Sequence, residues 1–326
     1  MQFRFGELEP MYLTLVDRPF SSPDYYYELK WDGVRALGFF DNEMKFRIQS
    51  RNGNDLSRAF PEIIEEGNQL GARVGREFIL DGELCVLDGA GKPDFELVMS
   101  RVLTRKEVSI RDYALRRPAS LIVWDLLQLG DIDMTGNNLT VRREGLEEVL
   151  AGFAAEGRYL FISPLYPEGN DLFQAVKQQG LEGIVAKRKV SPYLPGQRTM
   201  LWQKIKNFKQ GIVLVGGYLT EREGSYIVGA YEEDRLVYLG CVGGGLTLAE
   251  ARALDNILSE IEQPTCPFSP VIKLAGAIWV EPLIAIEVSF LSLTAKNSLR
   301  HAVIEGIPFD IQPRDCTLDK LLAGEK

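Results

Sequence analysis

Alternating apolar and polar residues predict a series of short strands along the first two thirds of the chain. Each run is bounded by turn residues such as glycine, asparagine or aspartate, which is typical of strands joined by tight connections. Other segments repeat their apolar residues at intervals of three and four, which is the spacing of a helix with one buried face. The predicted strands are Tyr25–Leu29, Val34–Phe40, Lys45–Ser50, Phe78–Leu87, Ser120–Leu127, Gly183–Ala186 and Leu201–Ile205, and the predicted helices are Phe60–Leu70, Arg142–Phe153 and Leu172–Gln179, the last with Asn170 or Asp171 as its cap.

The pattern changes after residues 206–211, which are predicted to be a hinge into a second region. One helix is predicted there, at Leu248–Ile261. A short stretch with several strands and one helix favours a small Greek-key barrel, for which an OB-fold is one candidate. Its predicted strands are Ile212–Tyr218, Ser225–Tyr231, Leu236–Val242, Trp279–Pro282 and Ile284–Ser289.

Composition is that of an ordinary globular protein. Hydrophobic residues make up 45% of the 326 positions and charged residues 25%, and a chain of this length usually forms about two domains. No apolar run reaches the ~18 residues of a membrane helix, and the first twenty residues lack the pattern of a secretory signal. We therefore expect a soluble, cytoplasmic, monomeric protein without a membrane partner.

Cysteine and histidine usage restricts the chemistry. The four cysteines are widely separated and form no C-x-x-C pair, which disfavours a disulfide framework or a zinc ribbon. His301 is the single histidine, so multi-histidine metal sites are excluded and a serine–histidine–aspartate catalyst would depend on this one residue. Catalysis is expected to use lysine, arginine, aspartate and glutamate.

The charge distribution is more informative than the net charge of −9. Residues 1–210 carry 28 basic and 30 acidic side chains, whereas residues 211–326 carry 9 and 16. From Lys187 to Lys209, seven basic residues occur without an acidic residue between them. Because binding depends on the field at the contact face, this run favours a site for a phosphate-rich ligand.

The segment Glu28-Leu29-Lys30-Trp31-Asp32-Gly33 holds the most informative lysine. A surface lysine in a turn is the plain alternative, since aspartate–glycine is a common turn pair. The functional hypothesis is a nucleophile that attacks phosphorus, which requires Lys30 to be desolvated or crowded by other cations so that its lone pair is exposed. The rest of the chain has to supply those cations.

Further candidate groups lie at or near strand ends. Arg51 lies in a tight turn that suits a phosphate or a ribose. Glu83 and Glu182 offer carboxylates of the kind that Mg²⁺ accepts together with water and phosphate oxygens. Lys204 and Lys206 alternate along one strand and so share a face, which is costly in the interior unless an anion binds there. A solvated edge strand remains the alternative for this pair.

Taken in order, six segments resemble the motifs of the covalent nucleotidyltransferases, the family of ATP-dependent DNA ligases, RNA ligases and mRNA capping enzymes. The run 191–202 is more similar to the bacterial end-joining DNA ligases than to capping enzymes. The six segments are residues 30–33, 50–53, 81–83, 122–125, 182–187 and 204–206. The resemblance implies an α+β fold with an adenylation (nucleotidyltransferase) domain of antiparallel sheets and flanking helices at residues 1–208, and a C-terminal OB-fold β-barrel at residues 209–326.

The same resemblance implies a role for each matching residue. Lys30 would attack the α-phosphate of ATP and become a covalent AMP-lysine. Glu28 would recognise adenine and Trp124 would stack on it, although an indole at that position can equally be a core residue. The remaining nucleotide contacts would come from Arg35, Arg51, Glu83, Lys187, Lys204 and Lys206, with Glu83 and Glu182 holding Mg²⁺ or Mn²⁺.

One departure concerns the last motif of related ligases, where Pro308 and Ile311 stand at positions expected to be basic. Weaker self-adenylation is the expected consequence. Three readings follow: a DNA ligase that seals nicked duplex DNA, with a Ku-like end-binding protein as a candidate partner; an RNA ligase; and a degenerate nucleotide- or DNA-end-binding module with weak self-adenylation. The first is favoured by the segment 191–198.

Overall fold

The computed structural model describes residues 3–151, 153, 158–220, 224–294, 296–308 and 310–323. The chain divides into two compact units, Met1–Asn207 and Phe208–Lys326. The described part of the first unit contains β1 (Tyr12–Leu15), β2 (Tyr25–Leu29), β3 (Val34–Phe40), β4 (Phe46–Ser50), α1 (Pro61–Val74), β5 (Phe78–Val86), α2 (Phe95–Leu103), α3 (Glu107–Arg116), β6 (Ala119–Leu129), β7 (Ile132–Asp133), α4 (Leu139–Leu150), β8 (Leu160–Ile162), α5 (Gly169–Gln179), β9 (Gly183–Arg188) and β10 (Arg198–Lys206), with a short 3-10 helix at Ser57–Ala59.

Two sheets organise this unit. The smaller sheet has the order β1-β10-β9-β2, in which β1 runs parallel to β10 and the other pairs are antiparallel. The larger sheet has the order β4-β3-β5-β6-β7, with β8 pairing parallel to β6. The predicted mixture of antiparallel sheets and helices is therefore observed.

Helices α1, α2 and α4 cover one face of the larger sheet. Helix α1 begins with Pro61 at a position where a missing N–H costs nothing, and ends at Gly75 in the left-handed conformation. Its Gly71 lies so close to Phe40 of β3 that an added Cβ would be 2.0 Å from the ring. The small residue thus lets the helix approach the sheet closely.

The opposite face of the larger sheet packs on the smaller sheet. Leu37, Phe39 and Ile79 of the larger sheet share an apolar cluster with Trp124 and with Trp202 of β10. Helix α5 covers the outer face of the smaller sheet through Leu172 and Val176. The unit is therefore a stack of helices, sheet, sheet and helix, with its functional candidates around the space between the sheets.

The second unit is mainly antiparallel β-structure. Its described elements are β11 (Lys209–Leu219), β12 (Ser225–Glu232), β13 (Arg235–Gly243), α6 (Leu248–Ser259), β14 (Glu262–Gln263), β15 (Ala277–Val280), β16 (Ala285–Phe290), β17 (Ser292–Leu293), β18 (Leu299–Arg300), β19 (Val303–Gly306) and α7 (Leu318–Ala323), with a 3-10 helix at Pro313–Asp315. The long strand β11 pairs with β12 along one edge, and with β16 and then β15 along the other. Because β11 pairs with strands on both of its edges, the sheet bends around an apolar core. Leu254 and Leu258 of α6 pack against that core.

Several details differ from the sequence prediction. Helices α2 and α3 were not predicted. Helix α5 begins at Gly169, and its N-cap residue is Glu168, whose side chain makes no capping hydrogen bond. The predicted cap at Asn170 or Asp171 is therefore wrong. Ile311 is half-buried against an apolar cluster of the second unit. In the described residues, no helix is long and apolar enough to cross a membrane.

Candidate active site

A cavity with about 350 Å³ of empty space lies at the face where the two sheets meet. Strands β2, β3, β5, β6, β9 and β10 all contribute side chains to its wall. Six of the predicted site residues line it, namely Glu28, Lys30, Arg35, Glu83, Trp124 and Lys187. The fold therefore brings predicted site residues from five separate segments of the chain together at this cavity.

Lys30 follows the last residue of β2 and is mostly enclosed, with 18% of its side chain exposed. Its backbone N–H donates to the carbonyl of Gly183, which ties the end of β2 to the start of β9. Its Nζ lies 2.6 Å from Oε2 of Glu182. The amine is thus largely desolvated, as the nucleophile hypothesis requires, and its direct ionic partner is a carboxylate.

Two carboxylates face the amine. Glu83 lies in β5 and is half-buried, and desolvation raises its pKa to about 8 although the charges of Lys30 and Arg35 oppose the rise. The negative charge of Glu182 adds to the rise, which indicates that the two carboxylates are neighbours. A partly buried acidic pair beside a cavity is a place where a cation lowers the free energy of the ionised state.

This pair fits the predicted metal. Among the described residues, no group of three or more histidine, cysteine, aspartate or glutamate side chains is arranged to hold an ion. Mg²⁺ does not need such a group, because it commonly takes one or two carboxylates and completes its shell with water and phosphate oxygens. Glu83 and Glu182 supply that number of protein ligands.

Lys204 and Lys206 project from the same face of β10, as their alternation predicted. Nζ of Lys206 lies 3.9 Å from Oε1 of Glu182, on the other oxygen from Lys30. Burial lowers the pKa of Lys204, and the positive charges of Lys206, Lys30 and Arg198 lower it further. The amines therefore form one electropositive cluster, which suits an anion with several negative oxygens.

At the other end of the cavity, Glu28 and Lys187 form a buried ion pair with 2.7 Å between Oε1 and Nζ. The ammonium also lies 4.7 Å from the ring centres of both Trp124 and Trp202. Burial lowers the pKa of Lys187, and the adjacent carboxylate of Glu28 opposes that change. This end of the cavity thus combines two aromatic rings with a fixed donor and a fixed acceptor.

Trp202 and Trp31 line the cavity but were not assigned to the site from sequence. For Trp202 a signal was available, because it shares the alternation that places Lys204 and Lys206 on one face. For Trp31 the cue is structural, since its indole donates a 3.1 Å hydrogen bond to Oγ of Ser163. Trp124 also lines the cavity, and its indole Nε1 is buried without a hydrogen-bond partner.

Arg35 is held by the protein itself. Its guanidinium donates two 2.6 Å hydrogen bonds to the carboxylate of Asp81 and lies 4.7 Å from the ring of Trp124. The same carboxylate accepts a 2.8 Å bond from the hydroxyl of Tyr193, which in turn accepts the N–H of Met11. Because every partner is buried or half-buried, this chain of bonds fixes the orientation of Arg35 at the cavity wall.

Arg51 is the one predicted nucleotide contact that the structure places away from both the cavity and the lysine cluster. It is exposed in the turn after β4, and its guanidinium lies 4.5 Å from the ring centre of Tyr12. Tyr12 precedes Leu13, which does line the cavity. Arg51 is therefore near the site but outside its lining.

Comparison with known proteins gives two matching family models. Residues 14–206 match the ATP dependent DNA ligase domain, and residues 220–310 match the ATP dependent DNA ligase C terminal region. DNA ligase C1 of Mycolicibacterium smegmatis is 32% identical over 266 residues, which are 78% of this chain and 72% of that protein.

Longer relatives also match. The multifunctional non-homologous end joining DNA repair protein LigD of Mycobacterium tuberculosis is 28% identical over 96% of this chain, but the match spans only 40% of its own length. Among solved structures, mycobacterial DNA ligase D complexed with ATP and MES is 27% identical, with a TM-score of 0.54 and coverage of 97% of this chain and 99% of that one. The predicted nucleotidyltransferase fold and the predicted family are thereby confirmed.

Proposed function

The chain belongs to the ATP-dependent DNA ligase family, and from that premise we propose that it seals nicks in duplex DNA through an AMP group carried on Lys30. The observation that supports this proposal best is the position of the Lys30 amine. It lies at the wall of a cavity, in contact with Glu182 and within the cluster formed by Lys204 and Lys206. Nucleophile, base and phosphate-binding cations therefore occur within one small volume.

In the first step, Nζ of Lys30 attacks the α-phosphorus of ATP, a P–N bond forms and pyrophosphate leaves. The Lys30 ammonium must first release a proton, and Oε2 of Glu182 at 2.6 Å is positioned to accept it. The attacking amine releases its second proton to solvent as the P–N bond forms and the P–O bond to pyrophosphate breaks. Negative charge then grows on the phosphate oxygens. Lys204 and Lys206 stabilise that charge because they are fixed beside it before the reaction begins.

The opposite end of the cavity would recognise the adenine base. The Glu28 carboxylate offers an acceptor and the Lys187 ammonium a donor, with Trp124 and Trp202 beside them. Adenine presents a donor amine next to a ring acceptor, so this pair matches its edge. Arg35, oriented by Asp81, contributes a fixed guanidinium to the cavity wall beside Trp124.

Glu83 and Glu182 would hold Mg²⁺ or Mn²⁺, which neutralises phosphate charge and promotes departure of pyrophosphate. The raised pKa of Glu83, about 8, means that this carboxylate gains from a bound cation. Both side chains lie near Lys30, so the protein would supply two carboxylates, and water and the phosphate oxygens of the substrate would complete the coordination.

In the later steps, the AMP group passes from Lys30 to the 5′-phosphate at a nick, and the 3′-hydroxyl then displaces AMP to form the phosphodiester bond. The relative named as an end-joining repair protein motivates one further part of the proposal. We infer that the nicks arise during repair of broken ends, with a Ku-like end-binding protein as the partner. Ligation of linear duplexes with and without such a protein tests this part.

Incubation with ATP labelled at the α-phosphate tests the central proposal. The wild-type protein is expected to acquire label in the presence of Mg²⁺, and Lys30→Ala is expected to lose it. Lys45→Ala serves as the control, because Lys45 is exposed and forms its ion pair with the neighbouring Glu43. Label retained by Lys30→Ala would refute the assignment of the nucleophile.

Sealing of matched substrates then distinguishes the remaining functions. Repeated turnover on nicked DNA, with little activity on nicked RNA, is the expected result. Preference for the RNA nick would assign the protein to RNA ligation. A protein that binds the nick but completes no turnover would instead be a degenerate binding module.

A further inference from the structure

Two of the tryptophans that line the cavity are held by the same kind of contact. The indole N–H of Trp31 donates a 3.1 Å hydrogen bond to Oγ of Ser163, and the indole N–H of Trp202 donates a 3.2 Å hydrogen bond to Oγ of Ser191. Both serines are fully buried, and neither lines the cavity itself. Each serine therefore acts on the cavity only through its tryptophan.

Neighbouring arginines of helix α4 hold the backbones of these two serines. Nη1 of Arg142 donates a 2.8 Å hydrogen bond to the carbonyl of Ser191, and Nη2 of Arg143 donates to the carbonyl of Ser163. Consecutive residues of a helix point about 100° apart, so two adjacent side chains can reach two separate segments of the chain. Helix α4 thus reaches both tryptophans, through one serine each.

The two guanidinium groups are themselves fixed. Arg142 donates hydrogen bonds of 2.7 and 2.8 Å to the two oxygens of the Asp125 carboxylate, and both side chains are fully buried. Nε of Arg143 lies 3.1 Å from Oε1 of Glu147, one turn further along α4. A buried guanidinium is stable only when such partners satisfy it, so the groups that bind the serine carbonyls have little freedom to move.

The two tryptophans belong to different parts of the cavity. Trp31 directly follows Lys30 in the chain. The ring of Trp202 lies 4.7 Å from the ammonium of Lys187, at the end proposed to recognise the base. The torsion that turns an indole about its Cβ–Cγ bond has broad energy minima, so a fixed partner for the indole N–H restricts the ring to one orientation.

We propose that Ser163 and Ser191 are positioning residues for self-adenylation, each acting through the tryptophan that it binds. This inference rests on the proposed function and extends it to residues behind the cavity wall. Ser163 fixes Trp31 and with it the backbone that presents the Lys30 amine, so its loss slows the chemical step. Ser191 fixes Trp202 beside the base, so its loss weakens the binding of ATP.

Alanine variants of the two serines test this division. Each variant removes the hydroxyl and keeps the carbonyl that the arginine binds, and the uptake of label from α-labelled ATP is followed over a range of ATP concentrations. Ser163→Ala is expected to lower the saturating rate about three- to tenfold, with the half-saturating ATP concentration unchanged. Ser191→Ala is expected to raise the half-saturating concentration about three- to tenfold, with the saturating rate unchanged.

Two kinds of control separate this role from general effects. The double variant Trp31→Phe, Ser163→Ala is expected to react like Trp31→Phe alone, because the bond is already absent once the indole N–H is removed. The corresponding double variant at Trp202 is expected to bind ATP like Trp202→Phe. Ser57→Ala is the matched control, because its hydroxyl accepts a 2.9 Å hydrogen bond from the N–H of Ile48 but Ser57 does not line the cavity. It is expected to keep both wild-type values.

Equilibrium dialysis with labelled ATP and no metal gives the Kd for ATP without reaction, and circular dichroism shows that each variant is folded at the assay temperature. Ser191→Ala is expected to raise this Kd about three- to tenfold, and Ser163→Ala to leave it unchanged. Wild-type kinetics in both serine variants, or a lower melting temperature as their only change, would refute the positioning role. A change in the same parameter in both variants would overturn the division between the two ends. A wild-type protein that binds ATP but takes up no label would count against the proposed function, and the Kd of Ser191→Ala would then decide this inference.

Discussion

The buried pair formed by Glu28 and Lys187 allows the sharpest test of how the cavity is held together. Both side chains are at most 3% exposed, and their charged atoms are 2.7 Å apart. Lys187→Met keeps an unbranched side chain between the two indoles and leaves the Glu28 carboxylate without its cation. Glu28→Gln keeps the shape of the acid and leaves the ammonium without its anion. The double variant removes both charges.

Removing one partner of a buried ion pair costs about 3–5 kcal/mol, because the other charge stays in the interior uncompensated. For a unit of this size, each kcal/mol shifts the melting temperature by about 2–4 °C. Each single variant is therefore expected to melt roughly 6–20 °C below the wild type. The double variant is expected to lose far less than the sum of the two, since no uncompensated charge remains.

Glu28→Gln is expected to become more stable as pH rises. In this variant the ammonium loses the negative charge that had raised its pKa against the effect of burial. The unfolded chain then binds more protons than the native state, so stability rises with pH.

Thermal unfolding at about pH 6 and pH 9 measures this effect. Glu43→Gln is the matched control, because Glu43 and Lys45 form an ion pair at 2.9 Å but are mostly exposed, and no measurable change in melting temperature is expected. Additive losses in the double variant, or a melting temperature of Glu28→Gln that does not rise with pH relative to the wild type, would contradict the assignment of this pair as a coupled buried contact.

Three other changes test separate parts of the site. Glu83→Gln is expected to match the wild type near pH 5 and to melt higher near pH 9. Burial raises the pKa of Glu83 to about 8 in the native state, so between its ordinary pKa and pH 8 the native state keeps a proton that the unfolded chain has released, and the stability of the wild type falls as pH rises through that range. Gly183→Ala is expected to lower the free energy of unfolding in urea by about 1–3 kcal/mol, because the added Cβ would lie 2.1 Å from a backbone oxygen. Gly89→Ala is the control, because a Cβ at Gly89 would have no neighbouring atom within 4 Å. Tyr193→Phe is expected to cost about 1–3 kcal/mol in the same assay by removing a donor from the buried Asp81 carboxylate; an unchanged midpoint would show that Arg35 is oriented without it.

Alternation predicted much of the sheet structure. Strands β2 and β3 have the bounds expected from sequence, because each is a short run ended by turn residues. Helix α2 was missed, and its inward face includes Arg101, a charged residue at a position where the helical pattern calls for an apolar one. In the structure, Arg101 is buried and bonded to Glu62 of α1. The sequence did offer one indication of this helix, because Asp94 is a good N-cap residue and its side chain accepts hydrogen bonds from two N–H groups at the start of α2.

The sequence indicated which residues form the site more readily than it indicated which side chains contact one another there. A strand end, a carboxylate and an alternating lysine pair indicate which residues meet, but the pairing of Lys30 with Glu182 spans distant segments and depends on strand register. Tyr12 offered no cue, since a single tyrosine in a short strand has no pattern. In the structure, two arginines from other segments lie over its ring.

The order of charges along β2 has a consequence for substrate choice. Glu28 and Lys30 are separated by a single residue, so they share one face and lie about 6.6 Å apart along the strand. If one contacts the base and the other the phosphorus, this rigid interval fixes the length of nucleotide that can be activated. Removing Leu29 would turn the amine to the opposite side of the strand, and no movement of a side chain could restore the alignment.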